Sequence, residues 1–324
     1  LAQLLPQEQL GSLLHTVNVL VHAANVCLAF VLARRWSTSL LGAGVAGFLW
    51  ACHPILVESV AFVTNLKVLV FTTASLSSVL LWDRFLETDR PTLGTAAFVA
   101  FLVGLGCRPE AVMIGPLLVV QTYLFGPRDF WRHGRYLAPL VAIAVTSVAY
   151  LPIAIQGQHV LITQANIDNP YALGWRQQLL RIGAAFGLQL RNLFWPLHLH
   201  PGYFPTAEAK VTLAWVGFPA AILLLALTGL AFLKDRRTAA GMSVFWVFYF
   251  PASGVEVLPR FTADTYLYLP LLGLCLAVGA AMPALSNLES RLARSSLLTV
   301  LLATVLGFSA VAHVQNQRWR DALQ

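Results

Sequence analysis

The sequence predicts an all-α polytopic membrane protein of about ten spans, with one further interfacial or re-entrant helix. Three observations carry this. Of 324 residues, 58% are hydrophobic and 11% charged, with a mean hydropathy of +0.71; a soluble domain carries about 25% charged residues. Apolar runs recur along the whole chain, many close to the length that crosses hydrocarbon. Basic residues gather in short connections between alternate runs. The net charge of +7 is therefore topological, and no nucleic-acid partner is expected.

The first run, Leu13–Ala33, carries His15, Asn18, His22 and Asn25 at helical spacing, so the four share one face. A polar stripe inside a span faces a bundle interior. It reads either as a network supporting a site or as plain hydrogen bonding between helices.

Ser39–Cys52 and Val68–Trp82 are the next spans, and HPILVESVAFVTNLK lies between them. Pro54 removes a backbone donor and ends or kinks the preceding helix. Ile55–Val63 reads as a short helix at the membrane boundary. An ionisable side chain at membrane depth costs about 2.5–3.5 kcal/mol on insertion scales. Glu58 and Lys67 therefore need water, a partner or a ligand.

Thr92–Cys107, Val112–Phe125 and Leu137–Ile155 follow as spans. Arg108-Pro109-Glu110 interrupts the first two. Its arginine can fork onto phosphate oxygens or pair with Glu110. Gln156–Trp175 is a long connection. Arg176–Trp195 carries arginines at mostly helical spacing among Leu, Ile and Phe, and reads as the interfacial or re-entrant helix, or else as a true span with one neighbour misjudged. The run FWPLHLHPGYFP, 194–205, either lines a site or forms an aromatic belt. Spans at Val211–Leu233, Ala239–Phe250, Tyr266–Ala281 and Leu297–His313 complete the set. Ahead of the third of these, PRFTADTYLYLP places Arg260 and Asp264 four apart, close enough to pair on a helix.

Five basic loops, Arg34-Arg35, Asp83–Arg90, Arg128–Arg135, Lys234–Arg237 and Glu289–Arg294, hold more than half of the 21 Lys and Arg residues. They alternate consistently if all are cytoplasmic. Both termini and every motif rich in unusual polar residues then fall on the extracytoplasmic side. Arginine far outnumbers lysine, an association that points to a bacterial inner membrane. The four cysteines lie far apart and form neither a zinc set nor a disulfide framework; no metal or other cofactor is expected.

In order, HTVNVLVHAAN (15–25), ACHPILVESVAFVTNLK (51–67), CRPEAVMIGPLLVV (107–120), NLFWPLHLHPGYFP (192–205), FTADTYLYLPLLG (261–273) and NQRWRDAL (316–323) resemble the membrane domain of the tetratricopeptide-repeat-linked GT-C glycosyltransferases. The transmembrane and tetratricopeptide-repeat O-mannosyltransferases belong to that group. The resemblance implies a GT-C-like helical bundle over residues 1–315, with 316–324 an extracytoplasmic stub where repeats would begin. It implies transfer of a sugar from a polyprenyl-phosphate donor to an extracytoplasmic acceptor. Glu58, Asp264 and His53 are then the catalytic candidates. Lys67, Arg108 and Arg260 are the donor-phosphate ligands, with His15, Asn18 and His22 the supporting network.

The sequence also departs from the family. Leu56 stands where a second His is common, Leu66-Lys67-Val68 where Arg-Lys-Asp is common, and Asp264-Thr265-Tyr266 where Asp-Arg-Tyr is common. The family's base lies in an acidic first loop after an additional first span. This sequence begins beyond that place, so it reads as N-terminally truncated and partly degenerate. The second expectation is accordingly a degenerate relative serving as an accessory subunit of a larger membrane complex. A transporter is weaker, since no internal repeat and no mid-span charge stands out.

Overall fold

The computed structural model describes residues 7–37, 39–164, 174–200, 202–255, 260–286 and 290–322. Among the described residues the chain is helical, with no strand. In order the helices are α1 Gln7–Trp36, α2 Leu40–Cys52, α3 Val57–Ala61, α4 Leu66–Thr88, α5 Pro91–Cys107, α6 Ile114–Phe125, α7 Gly134–Gln164, α8 Trp175–Phe194, α9 Ala207–Lys234, α10 Arg236–Tyr249, α11 Tyr268–Ser286 and α12 Arg291–Ala322. Six of these are long and apolar enough to cross a membrane, or seven if α2 and its bent continuation form one span. This is the architecture of a helical membrane protein. The count falls short of the expected ten, because α5, α6 and α10 are shorter helices.

The apolar runs grow into helices that extend beyond them. α4 reaches from Leu66 to Thr88, and α7 runs on to Gln164. Much of the expected Gln156–Trp175 connection is therefore helix, since nothing in QGQHVLITQ breaks one; residues 165–173 lie outside the described residues. α12 likewise passes through residue 316 without a break and ends at Ala322.

The stretch after Pro54 differs from a single boundary helix. It forms a 3-10 turn at Pro54–Leu56, one turn of α3, and a second 3-10 turn at Val63–Asn65. The chain bends by 51° between α2 and this segment. Pro54 holds His53 extended, at φ −68 and ψ 125, because the proline ring excludes the helical conformation from its predecessor.

α11 is the most buried of the long apolar helices, with 78% of its apolar window covered; α12, with 0%, lies at the rim. α11 packs against α10 on one side and α2 on the other. Both seams rest on glycine. A Cβ at Gly42 would lie 2.2 Å from the Gly279 carbonyl oxygen, and one at Gly273 2.2 Å from the Phe245 nitrogen. Lipid tails are as apolar as leucine, so helices in a bilayer gain by close backbone approach across small residues. α8 and α9 use the same device, with Gly187 against the Leu213 carbonyl and Gly217 against that of Gly183.

Short connections make neighbouring helices antiparallel, so the bundle has two distinct ends. One gathers Arg35, Asp83, Glu87 and Lys234–Arg237. The other gathers the chain around His53, Glu58, Leu193, Tyr203, Arg260 and Asp264.

Candidate functional site

At the second end, two buried carboxylates hold one segment, residues 260–268, against the bundle. Glu58 on α3 is 4% exposed. Its Oε1 accepts from Arg260 Nη1 at 2.9 Å, and its Oε2 from the Thr265 backbone N–H at 3.0 Å. Ser59 donates to the Thr265 hydroxyl at 3.0 Å. Asp264, also 4% exposed, accepts the Tyr203 hydroxyl at 2.8 and 2.9 Å and the Asn192 amide at 3.2 Å. Gln189, one helical turn before Asn192, donates to Thr262 at 2.6 Å.

The expected Arg260–Asp264 pair is therefore replaced. Ala263 is extended, at φ −148 and ψ 150, and a 3-10 turn starts at Asp264. No helical turn joins the two side chains. Arg260 instead reaches Glu58, 202 residues away in sequence, and Asp264 faces the loop before α9.

The Tyr203 hydroxyl accepts from the His200 N–H at 2.9 Å while donating to Asp264. Burial raises its pKa first, and the adjacent Asp264 carboxylate raises it further. Tyr203 thus keeps its proton and stays a donor.

His53 accepts the Ile55 N–H on Nδ1 at 3.2 Å and donates from Nε2 to the Leu193 carbonyl at 3.0 Å. Its ring meets Phe308 at 4.5 Å. Both ring nitrogens are occupied, so this arrangement leaves none for proton transfer. The ring thus splices α2, α8 and α12.

Arg108 is extended before Pro109, at φ −151, for the same reason as His53. Its guanidinium forks onto Glu110, with Nε 3.0 Å from Oε2 and Nη2 on Oε1. Arg108 and Glu110 line a cleft of about 40 Å³ with Thr265, Tyr266, Phe71 and Phe248. That volume holds about two or three waters, less than a sugar ring occupies.

Lys67 is exposed at the start of α4. It lies at the same end, but Val68 and Phe71 line the cleft in its place. The expected convergence of Glu58, Lys67, Arg108 and Asp264 on one cavity is corrected accordingly. Arg108 lines the cleft, Glu58 and Asp264 hold its wall from behind, and Lys67 is exposed and not among the lining residues.

Beneath the cleft, the polar face of α1 binds neighbouring helices. Asn18 donates to the Val60 and Phe62 carbonyls at 3.1 and 3.2 Å. His22 Nδ1 lies 2.6 Å from the Tyr268 hydroxyl, and Asn25 donates to the Leu69 carbonyl at 3.0 Å. His15 is half-buried on the same face.

Asn192, Gln189 and Tyr203 were not singled out from sequence. Their signal is the pair of amides one turn apart on the otherwise small and apolar buried face of α8, followed by a lone phenol in a proline-rich loop. Glu110 appeared only as a pairing partner, yet it is the carboxylate that reaches the cleft. The chain matches no protein-family model, no curated protein and no solved structure.

Proposed function

We propose that the chain is an integral-membrane glycosyltransferase moving a sugar from a polyprenyl-phosphate donor to an extracytoplasmic acceptor. The motif order supports this reading, and one observation carries it. Arg108 and Glu110 form a cation–carboxylate pair at the wall of a cleft, and Glu58 and Asp264 hold the segment that carries its Thr265 and Tyr266 lining. Donor phosphate would take the Arg108 fork and release Glu110, with the sugar, too large for the cleft, outside its mouth. The donor's phosphodiester carries the same single charge as the carboxylate it displaces and fits the same planar fork, and the phosphate monoester that leaves carries more.

The freed Glu110 then accepts the proton of the acceptor hydroxyl. The acceptor oxygen bonds to the anomeric carbon as the bond to the phosphate oxygen breaks. The leaving phosphate keeps that electron pair, and Arg108 stabilises the charge. Glu58 and Asp264 act as positioning residues.

In this reading the shorter apolar helices cross as well, giving ten crossings, with the motif end outside a bacterial inner membrane and bilayer lipid and donor as partners.

A transfer assay on the purified chain, with polyprenyl-phosphate sugars as donors, tests the reading. Glu110→Gln should abolish transfer while preserving donor binding. Arg108→Ala should lose both, and Lys67→Ala neither. Full turnover in Glu110→Gln would remove it as the base.

A second reading is an accessory subunit of a larger membrane complex. The engagement of both buried carboxylates by hydrogen bonds favours it. There, wild type shows no transfer, and Arg108→Ala changes assembly or stability alone.

A further inference from the structure

The opposite end of the bundle holds a larger polar cleft, about 530 Å³, between the last turns of α1 and α4, the end of α6 and the α9–α10 junction. Seven of its lining residues are charged: Arg35, Asp83, Glu87, Lys234, Asp235, Arg236 and Arg237. Trp36 and Phe125, with ring centroids 5.8 Å apart, form an apolar wall.

The three carboxylates are already committed. Asp83 accepts Arg35 Nε at 3.1 Å and the Trp36 indole at 3.0 Å, with Gln121 as a third donor. Glu87 takes the other arm of Arg35. Asp235 turns onto its own helix, capping the Arg237 and Thr238 N–H groups at 3.1 Å each.

The cations are committed differently. Arg35 is neutralised by the two carboxylates it holds. Lys234, Arg236 and Arg237 come from one turn, and among the described residues none makes an ion pair. Arg236 spends one nitrogen on the Leu124 carbonyl, at 3.2 Å; Lys234 and Arg237 are exposed. Three cations therefore face a space large enough for a small anion, with the nearby negative charge turned elsewhere.

We propose that this cleft binds a phosphate group, supplied by an anionic lipid headgroup or by a soluble phosphate. A phosphate spreads its charge over several oxygens and can meet two guanidinium forks and an ammonium together. A single carboxylate has too few acceptor sites to satisfy all three. The cleft is separate from the Arg108 site, which lies at the other end of the bundle.

The test uses the full chain in nanodiscs of zwitterionic lipid, with Arg108→Gln as background so that the other cleft adds no signal. Inorganic phosphate is one probe, followed by equilibrium dialysis. Short-chain phosphatidylglycerol is the other, followed by native mass spectrometry. At least one probe should bind saturably, one per chain, and Lys234→Gln with Arg237→Gln should weaken it at least tenfold. Binding of the lipid alone assigns the source to a headgroup; binding of both shows that the phosphate suffices. The charge-keeping pair Lys234→Arg with Arg237→Lys should retain binding. Failure of both probes, unchanged binding in the glutamine pair, or loss in the charge-keeping pair overturns the proposal.

Discussion

Tyr203 donates its hydroxyl between the two oxygens of Asp264, 2.8 Å from Oδ1 and 2.9 Å from Oδ2. The bond ties the loop before α9 to the start of the turn that leads into α11. Tyr203→Phe should destabilise the protein by about 1–3 kcal/mol, because a buried carboxylate loses a partner. Asp264→Asn in the same chain should recover part of that loss. Thermal unfolding of both single variants and the double measures the coupling, expected at about 0.5–3 kcal/mol. Strict additivity would mean the bond contributes nothing.

The Glu58–Arg260 pair is asymmetric, with side-chain exposures of 3% and 41%. Removing Arg260 strands a buried charge, whereas Glu58→Gln removes the charge and leaves an oxygen for the Thr265 N–H. Arg260→Ala should therefore cost more stability than Glu58→Gln, by about 1 kcal/mol once exposure of the arginine is discounted. Chemical denaturation in detergent ranks them, and the reverse order contradicts the account.

Two glycines two residues apart on α2, and so on opposite faces of it, should behave oppositely on substitution. Gly42→Ala places a methyl against the Gly279 backbone, whereas a Cβ at Gly44 meets nothing within 4 Å. Gly42→Ala should prevent α2 from seating on α11 and lower the yield of folded protein. Gly44→Ala should be neutral or stabilise by up to about 1 kcal/mol. Size-exclusion profiles and melting temperatures of the two variants decide it.

Asp235 caps α10 and gives a pH dependence with a definite sign. Burial pushes its carboxyl up, but hydrogen bonds from Thr238 and from the Arg237 and Thr238 N–H groups outweigh that and hold it below the usual range. A depressed pKa adds stability that is present above the unfolded value, about 3.9. The contribution fades as pH falls through the folded value. Asp235→Ala should cost about 1 kcal/mol near neutrality, with the gap to wild type closing below about pH 4. A gap that stays constant down to acid pH would assign the effect to something other than the carboxylate.

Helix positions were legible because hydrophobic runs report burial or lipid contact directly. Leu40–Cys52 and Pro91–Cys107 differ from their apolar runs by a single residue at one end. The gathering of basic loops at one end was legible for the same reason. Pairings were not. Arg260 and Asp264 stand at a helical interval, but the interval has meaning only on a helix, and an extended Ala263 lies between them. Which of several distant partners a buried carboxylate takes depends on how α3, α8 and α11 meet, and no local pattern encodes that. Arg108 and Glu110 were readable as a pair because Pro109 fixes the geometry of its own neighbourhood.

The His53 ring has a mechanical consequence. Phe308 of α12 rests on it, and the two nitrogens grip the start of the Pro54 turn and the end of α8. α12 is a rim helix of 32 residues that bears on α2, α3 and that turn. One imidazole therefore joins the rim helix to the turn that leads into the backbone carrying Glu58, and through Glu58 to the Thr265 N–H.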